Sequence, residues 1–129
     1  MNGTDGDERA GSAGAARVRC RIDIDADGRY AWRMIAQNGR VVAVSAQAFP
    51  AYGDCRRAFD ELRGNHHGQA GGVQHTPSGS GWIWLLREAD GRATAVSARA
   101  YERHSTCRAA YQRFRGLLAG IGDVTGSCL

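Results

Sequence analysis

Residues 30–64 read YAWRMIAQNGRVVAVSAQAFPAYGDCRRAFDELRG, and residues 82–116 read WIWLLREADGRATAVSARAYERHSTCRAAYQRFRG. The two stretches align without a gap at an offset of 52, with 13 of 35 positions identical. Trp32 and Trp84, the Ala-Val-Ser-Ala runs beginning at Ala43 and Ala95, Cys55 and Cys107, and the closing Arg63-Gly64 and Arg115-Gly116 form the shared skeleton. Self-similarity at one spacing marks a supersecondary unit used twice.

Each copy carries the same local signals. Tyr30, Trp32, Met34 and Ala36 alternate with Arg33 at the two-residue period of a half-buried strand. Asn38-Gly39, and Asp90-Gly91 in the second copy, are the dipeptides of a type I′ hairpin turn, whose central residues need positive φ. A third strand then runs from Val41 to Ser45, and its counterpart from Ala93 to Ser97. Cys55, Ala58, Phe59 and Leu62 fall at i, i+3, i+4 and i+7, the apolar stripe of an amphipathic helix. Asp54 is placed to cap that helix, and Ser105 or Thr106 to cap its partner. Cys107, Ala110, Tyr111, Phe114, Leu117 and Leu118 extend the second stripe.

Outward from the repeat, Val18, Cys20, Ile22 and Ile24 alternate with Arg19, Arg21 and Asp23, and so predict a preceding strand. Asp25-Ala26-Asp27-Gly28 supplies its turn; Asp23, Asp25 and Asp27 lack the loop length and distal glutamate of an EF-hand. In the second copy, residues 73–76 stand at the matching offset as a weaker strand. Residues 1–16 are polar with no apolar periodicity and predict a disordered tail. The fold class is therefore α+β. Two tandem pseudo-twofold β(3)-α repeats, residues 17–66 and 67–120, form one antiparallel sheet with both helices on one face, and residues 121–129 form a C-terminal tail in which Val124 could pair at a sheet edge. A unit of 45 to 50 residues buries little apolar surface alone, so both units are expected to share one core in a monomer rather than a homodimer.

The matching stretches, residues 30–45 with 49–62 and 82–97 with 101–114, resemble the YegP-like family, small bacterial and archaeal proteins built from one or two copies of a domain of unknown function. The resemblance implies tandem β(3)-α units on a continuous sheet, sometimes with exchanged terminal strands, and no catalytic residues. Lysines usual after the second strand's aromatics are absent here, and Pro50 precedes the first helix. Those departures bear on surface function more than on fold.

Composition closes off several functions. All 17 basic residues are arginine, a bias that a GC-rich genome would also produce. Net charge is +4 overall, with −2 in residues 1–16 and +6 in the rest. No apolar run reaches the roughly 20 residues of a spanning helix, and no secretory signal pattern opens the chain, so no membrane association and a cytoplasmic location are expected. In that setting the four cysteines, Cys20, Cys55, Cys107 and Cys128, read as thiols, and the repeated pair as core residues. Ser45 and Ser97 have no Gly-x-Ser-x-Gly context and read as strand-end hydrogen-bonding groups. His66, His67 and His75 lack cysteine or carboxylate partners at zinc spacing. No metal, cofactor or catalytic residue is expected, and an enzyme is not.

Two function classes remain. The first is a protein-interaction or scaffold module with an unidentified protein partner, because Ile83 and Leu85 make one strand apolar on both faces. The second is weak, sequence-independent nucleic-acid binding, because alternation sets Arg19, Arg21, Arg33 and Arg87 on that same outer face. The stacking aromatics of single-strand binders lie on the inner face, which favours the first.

Overall fold

The computed structural model describes residues 18–121 and the backbone of residues 123–126. The tail expected over residues 1–16 lies outside them. Three strands, β1 (Arg19–Ile24), β2 (Tyr30–Ile35) and β3 (Val41–Ser45), lead into helix α1 (Tyr52–Asn65) and a 3-10 turn (His66–Gly68). Strands β4 (Ala70–His75), β5 (Trp82–Arg87) and β6 (Ala93–Ser97) then lead into α2 (His104–Gly120), and β7 (Asp123–Gly126) follows. The seven strands form one sheet in the order β4-β5-β6-β3-β2-β1-β7.

Six of these strands are antiparallel; β7 pairs parallel with β1 at the edge, Cys20 opposite Val124. The sheet is thus not wholly antiparallel, and part of the expected C-terminal tail is a strand. The halves join at β3 and β6, with Ala43 opposite Ser97, Val44 opposite Val96 and Ser45 opposite Ala95. A shift of 52 converts the first and third pairs into each other and leaves Val44–Val96 at the centre.

Sequence expectations need adjusting at three kinds of place. The hairpin turns are longer than two residues: Gly39 N–H donates to the Ala36 carbonyl (2.9 Å) and Ala36 N–H to the Arg40 carbonyl (2.9 Å). Gly39 therefore closes a four-residue turn in the left-handed region (φ 86°), the wider hairpin connection with a glycine bulge. Gly91 repeats this against Glu88, at φ 90°. Neither helix has its expected side-chain cap. The residues before the first turns, Ala51 and Arg103, are extended and make no side-chain cap bond. Asp54 lies inside the first turn, where its charge complements the helix dipole.

The third adjustment is in β4. Ile22 faces Trp32 in the first half, whereas Val73 faces Trp84 in the second. An offset of 52 would have put Gln74 there. The one-residue slip turns Val73 toward the core and Gln74 outward, since side chains alternate faces.

The core cluster lies between the sheet and both helices. Cys20, Ile22, Trp32, Met34 and Ala43 pack with Cys55, Phe59 and Leu62; Trp84, Leu86 and Ala95 pack with Cys107, Phe114 and Leu118. Trp32 meets Phe59 edge-on at 4.9 Å, while Trp84 stacks on Phe114 at 4.5 Å. Among the described residues, no helix packs on the opposite sheet face.

Candidate functional site

The open face is assembled by register. One row runs across it as Arg21, Arg33, Val44, Val96, Leu85 and Gly72, each paired with the next. The six residues singled out in the sequence thus fall into two groups. Arg19, Arg21 and Arg33 stand on β1 and β2; Ile83, Leu85 and Arg87 stand on β5. Val44 and Val96 join the groups and were not foreseen as part of the surface. Their signal was present, since each valine follows a core alanine and must point the other way.

Arg21 and Arg33 are directly opposite each other, an arrangement that like charges disfavour. Asp23 lies beside both: Arg21 Nε is 3.0 Å from Oδ1 and Arg33 Nη2 is 2.9 Å from Oδ2. Arg87 donates through Nη1 to the Gly91 carbonyl at 3.0 Å and through Nη2 to Gln74 Oε1 at 3.5 Å. Three of the four arginines foreseen as phosphate ligands are therefore engaged within the sheet surface. Asp23 shares the outer phase of Arg21, so the neutralising group was readable; its closure onto Arg33 needed the register.

Potential nucleophiles are occupied by the fold. Ser45 Oγ accepts a hydrogen bond from Trp32 N–H at 3.2 Å, and Ser97 Oγ accepts one from Trp84 N–H at 3.3 Å. Each serine completes a ladder where β2 leaves β3, or β5 leaves β6, serving the backbone of the core tryptophan. Burial pushes the Cys55 thiol up to about 12 and raises Cys20 and Cys107 as well, so these sulfurs stay protonated. His66 is buried and its ring lies tilted against His67 at 3.9 Å, while His75 stacks on Trp82 at 3.8 Å, in a different neighbourhood. Among the described residues no three His, Cys, Asp or Glu side chains gather to hold a metal ion. No helix is long and apolar enough to cross a membrane among them either.

Sequence reasoning missed two clefts on the helical side. The first, about 320 Å³, lies between α1 and the β5–β6 turn, with Trp32, Phe49 and Leu62 in its floor and charged residues on its walls. Trp32 is thus a core residue whose edge also reaches a cleft. The second, about 400 Å³, lies between α2 and the β2–β3 turn and includes Val42, Tyr101 and Ala110. Each cleft draws on segments some 50 residues apart, which no local pattern brings together.

No protein-family model matches the chain, and no curated protein does. Two solved structures are similar. The solution structure of yegP from E. coli, a protein of unknown function, aligns with a TM-score of 0.67 at 14% identity, over 87% of this chain and 97% of that one. A UPF0339 protein from Shewanella oneidensis aligns with a TM-score of 0.64 at 12% identity, over 84% of this chain and 92% of that one. The chain has the fold of the YegP-like proteins.

Proposed function

We propose that this protein is a non-catalytic interaction module whose contact surface is the open sheet face, centred on Val44, Val96 and Leu85. The observation that carries this reading is the uninterrupted row of half-buried apolar side chains across β3, β6 and β5, on the side where, among the described residues, no helix packs. Contiguous apolar surface on a small globule marks a contact. Ile83 extends the row, and the paired arginines on β1 and β2 supply a polar rim of the kind that surrounds interface cores. A non-catalytic role is supported by the serines bound to tryptophan N–H groups and by the protonated, buried thiols. The ion pairs to Asp23 weigh against phosphate tracking on this face.

A photo-crosslinking side chain at position 85 tests the proposal, with the same group at Arg108 on the helical surface as control. The expected result is a discrete adduct from position 85 alone, abolished by Val96→Glu. Identical adducts from both positions, or none from position 85, would overturn it.

A further inference from the structure

The two clefts on the helical side occupy positions related by the 52-residue offset, yet their charges differ. In the first, Asp54, Glu61 and Glu88 face Arg57 and Arg92. Both arginines are ion-paired there: Arg57 Nη1 is 3.3 Å from Asp54 Oδ1, and Arg92 Nη2 is 2.8 Å from Glu88 Oε1. In the second cleft, Thr106 stands for Asp54, Arg113 for Glu61, Ala36 for Glu88 and Arg99 for Gln47, while Arg40 keeps the place of Arg92. Every carboxylate has been replaced, and three guanidiniums share one concavity. Among the described residues no carboxylate lies within ion-pair distance of Arg40, Arg99 or Arg113.

We propose that this second cleft is a binding site for a small phosphate monoester carrying an aromatic or aliphatic body. Three planar guanidiniums offer forked donors that match phosphate oxygens, and a dianion relieves their mutual repulsion. Arg99 sits over the Tyr101 ring at 5.1 Å, which restrains its head at the cleft wall. The apolar surface of Val42, Tyr101 and Ala110 receives the body of the ester, since small-molecule sites combine apolar walls with a few placed polar groups. A volume of about 400 Å³ suits a ligand of that size. The same scaffold position holds Glu61 in one half and Arg113 in the other, so the two clefts differ in charge on a shared framework.

The test is an amide chemical-shift titration of the full chain with phenyl phosphate, alongside benzoate, inorganic phosphate and benzyl alcohol. Expected are shifts confined to residues 36–42, 99–101 and 106–113. Phenyl phosphate should bind at least threefold tighter than inorganic phosphate or benzoate, and benzyl alcohol should not bind. Arg113→Glu, which restores the first cleft's charge, should weaken binding at least tenfold; Arg99→Gln should weaken it severalfold; Arg57→Gln, in the other cleft, should leave it unchanged. Arg99 and Arg113 are exposed, so the variants stay folded, and their amide spectra verify it. Shifts scattered over arginines elsewhere, equal binding of benzoate, or full retention in Arg113→Glu would overturn the site. Co-sedimentation with phosphatidic acid vesicles that Arg113→Glu abolishes would assign the cleft to a membrane surface and overturn it equally.

Discussion

Replacing Ser97 by alanine tests the role assigned to the repeated serines. Its hydroxyl accepts the N–H of Trp84 at 3.3 Å; Ser97 is 7% exposed and Trp84 is 0% exposed. Without that oxygen the N–H faces no acceptor and no water. An unsatisfied buried donor costs about 1–3 kcal/mol, and the upper half of that range is expected here because the site is closed. Ser45 makes the same bond to Trp32 N–H at 3.2 Å but is only half-buried. Water can replace its hydroxyl, so Ser45→Ala should cost about 0.5–1 kcal/mol. Urea unfolding followed by tryptophan fluorescence separates the two. With a slope of about 1–3 kcal/mol/M, Ser97→Ala should lower the midpoint by about 1 M and Ser45→Ala by less than half of that. Ser97→Thr, which keeps the oxygen, should recover part of the loss. A Ser97→Ala effect below about 0.5 kcal/mol, the range of surface substitutions, would refute the reasoning, as would a larger loss from Ser45→Ala.

Gly71→Ala should destabilise by about 1–3 kcal/mol, because a Cβ there meets the Leu85 carbonyl and lies 2.7 Å from the Tyr111 hydroxyl; Gly72→Ala, with nothing within 4 Å, is the control in the same unfolding assay. Burial, with His67 and Arg115 nearby, lowers the His66 pKa below its ordinary 6.5. The unfolded chain therefore takes up a proton that the fold resists. Stability should be full above pH 6.5 and fall below it, by at most about 1.4 kcal/mol per pH unit; midpoints that drop no less steeply in His66→Gln would contradict this. For nucleic acid, three or four free arginines would give a log–log salt slope of about −3. With Arg21 and Arg33 held by Asp23, any low-salt binding of a fluorescent 20-mer should survive Arg19→Ala with Arg21→Ala; loss of binding in that variant would restore the sheet face as a phosphate surface. Residues 17–66 expressed alone should be unfolded or dimeric by sedimentation and circular dichroism, and a folded monomer would mean that the halves do not depend on one core.

The sequence alone determined the elements and their buried sides. Alternation at Cys20 and Ile22 or Trp32 and Met34, the glycines at 39 and 91, and the helical stripe of Cys55, Phe59 and Leu62 are local patterns, set by backbone periodicity and by φ at single residues. The same locality explains the errors of detail: hairpin turns and helix starts moved by a residue or two because hydrogen bonds such as Ala36 to Arg40, and the extended geometry at Ala51 and Arg103, outweigh the preference of a dipeptide or a capping residue. Tertiary structure decided everything that depends on what lies beside a residue rather than before or after it. The slip that seats Val73 against Trp84, the parallel edge strand beside Cys20, the Asp23–Arg33 pair, the Val44–Val96 centre of the open face and the three arginines of the second cleft each join positions far apart in the chain. Many registers preserve the same alternation along a strand. The one adopted is chosen by packing of the whole core, and with it the neighbours that give each surface its charge.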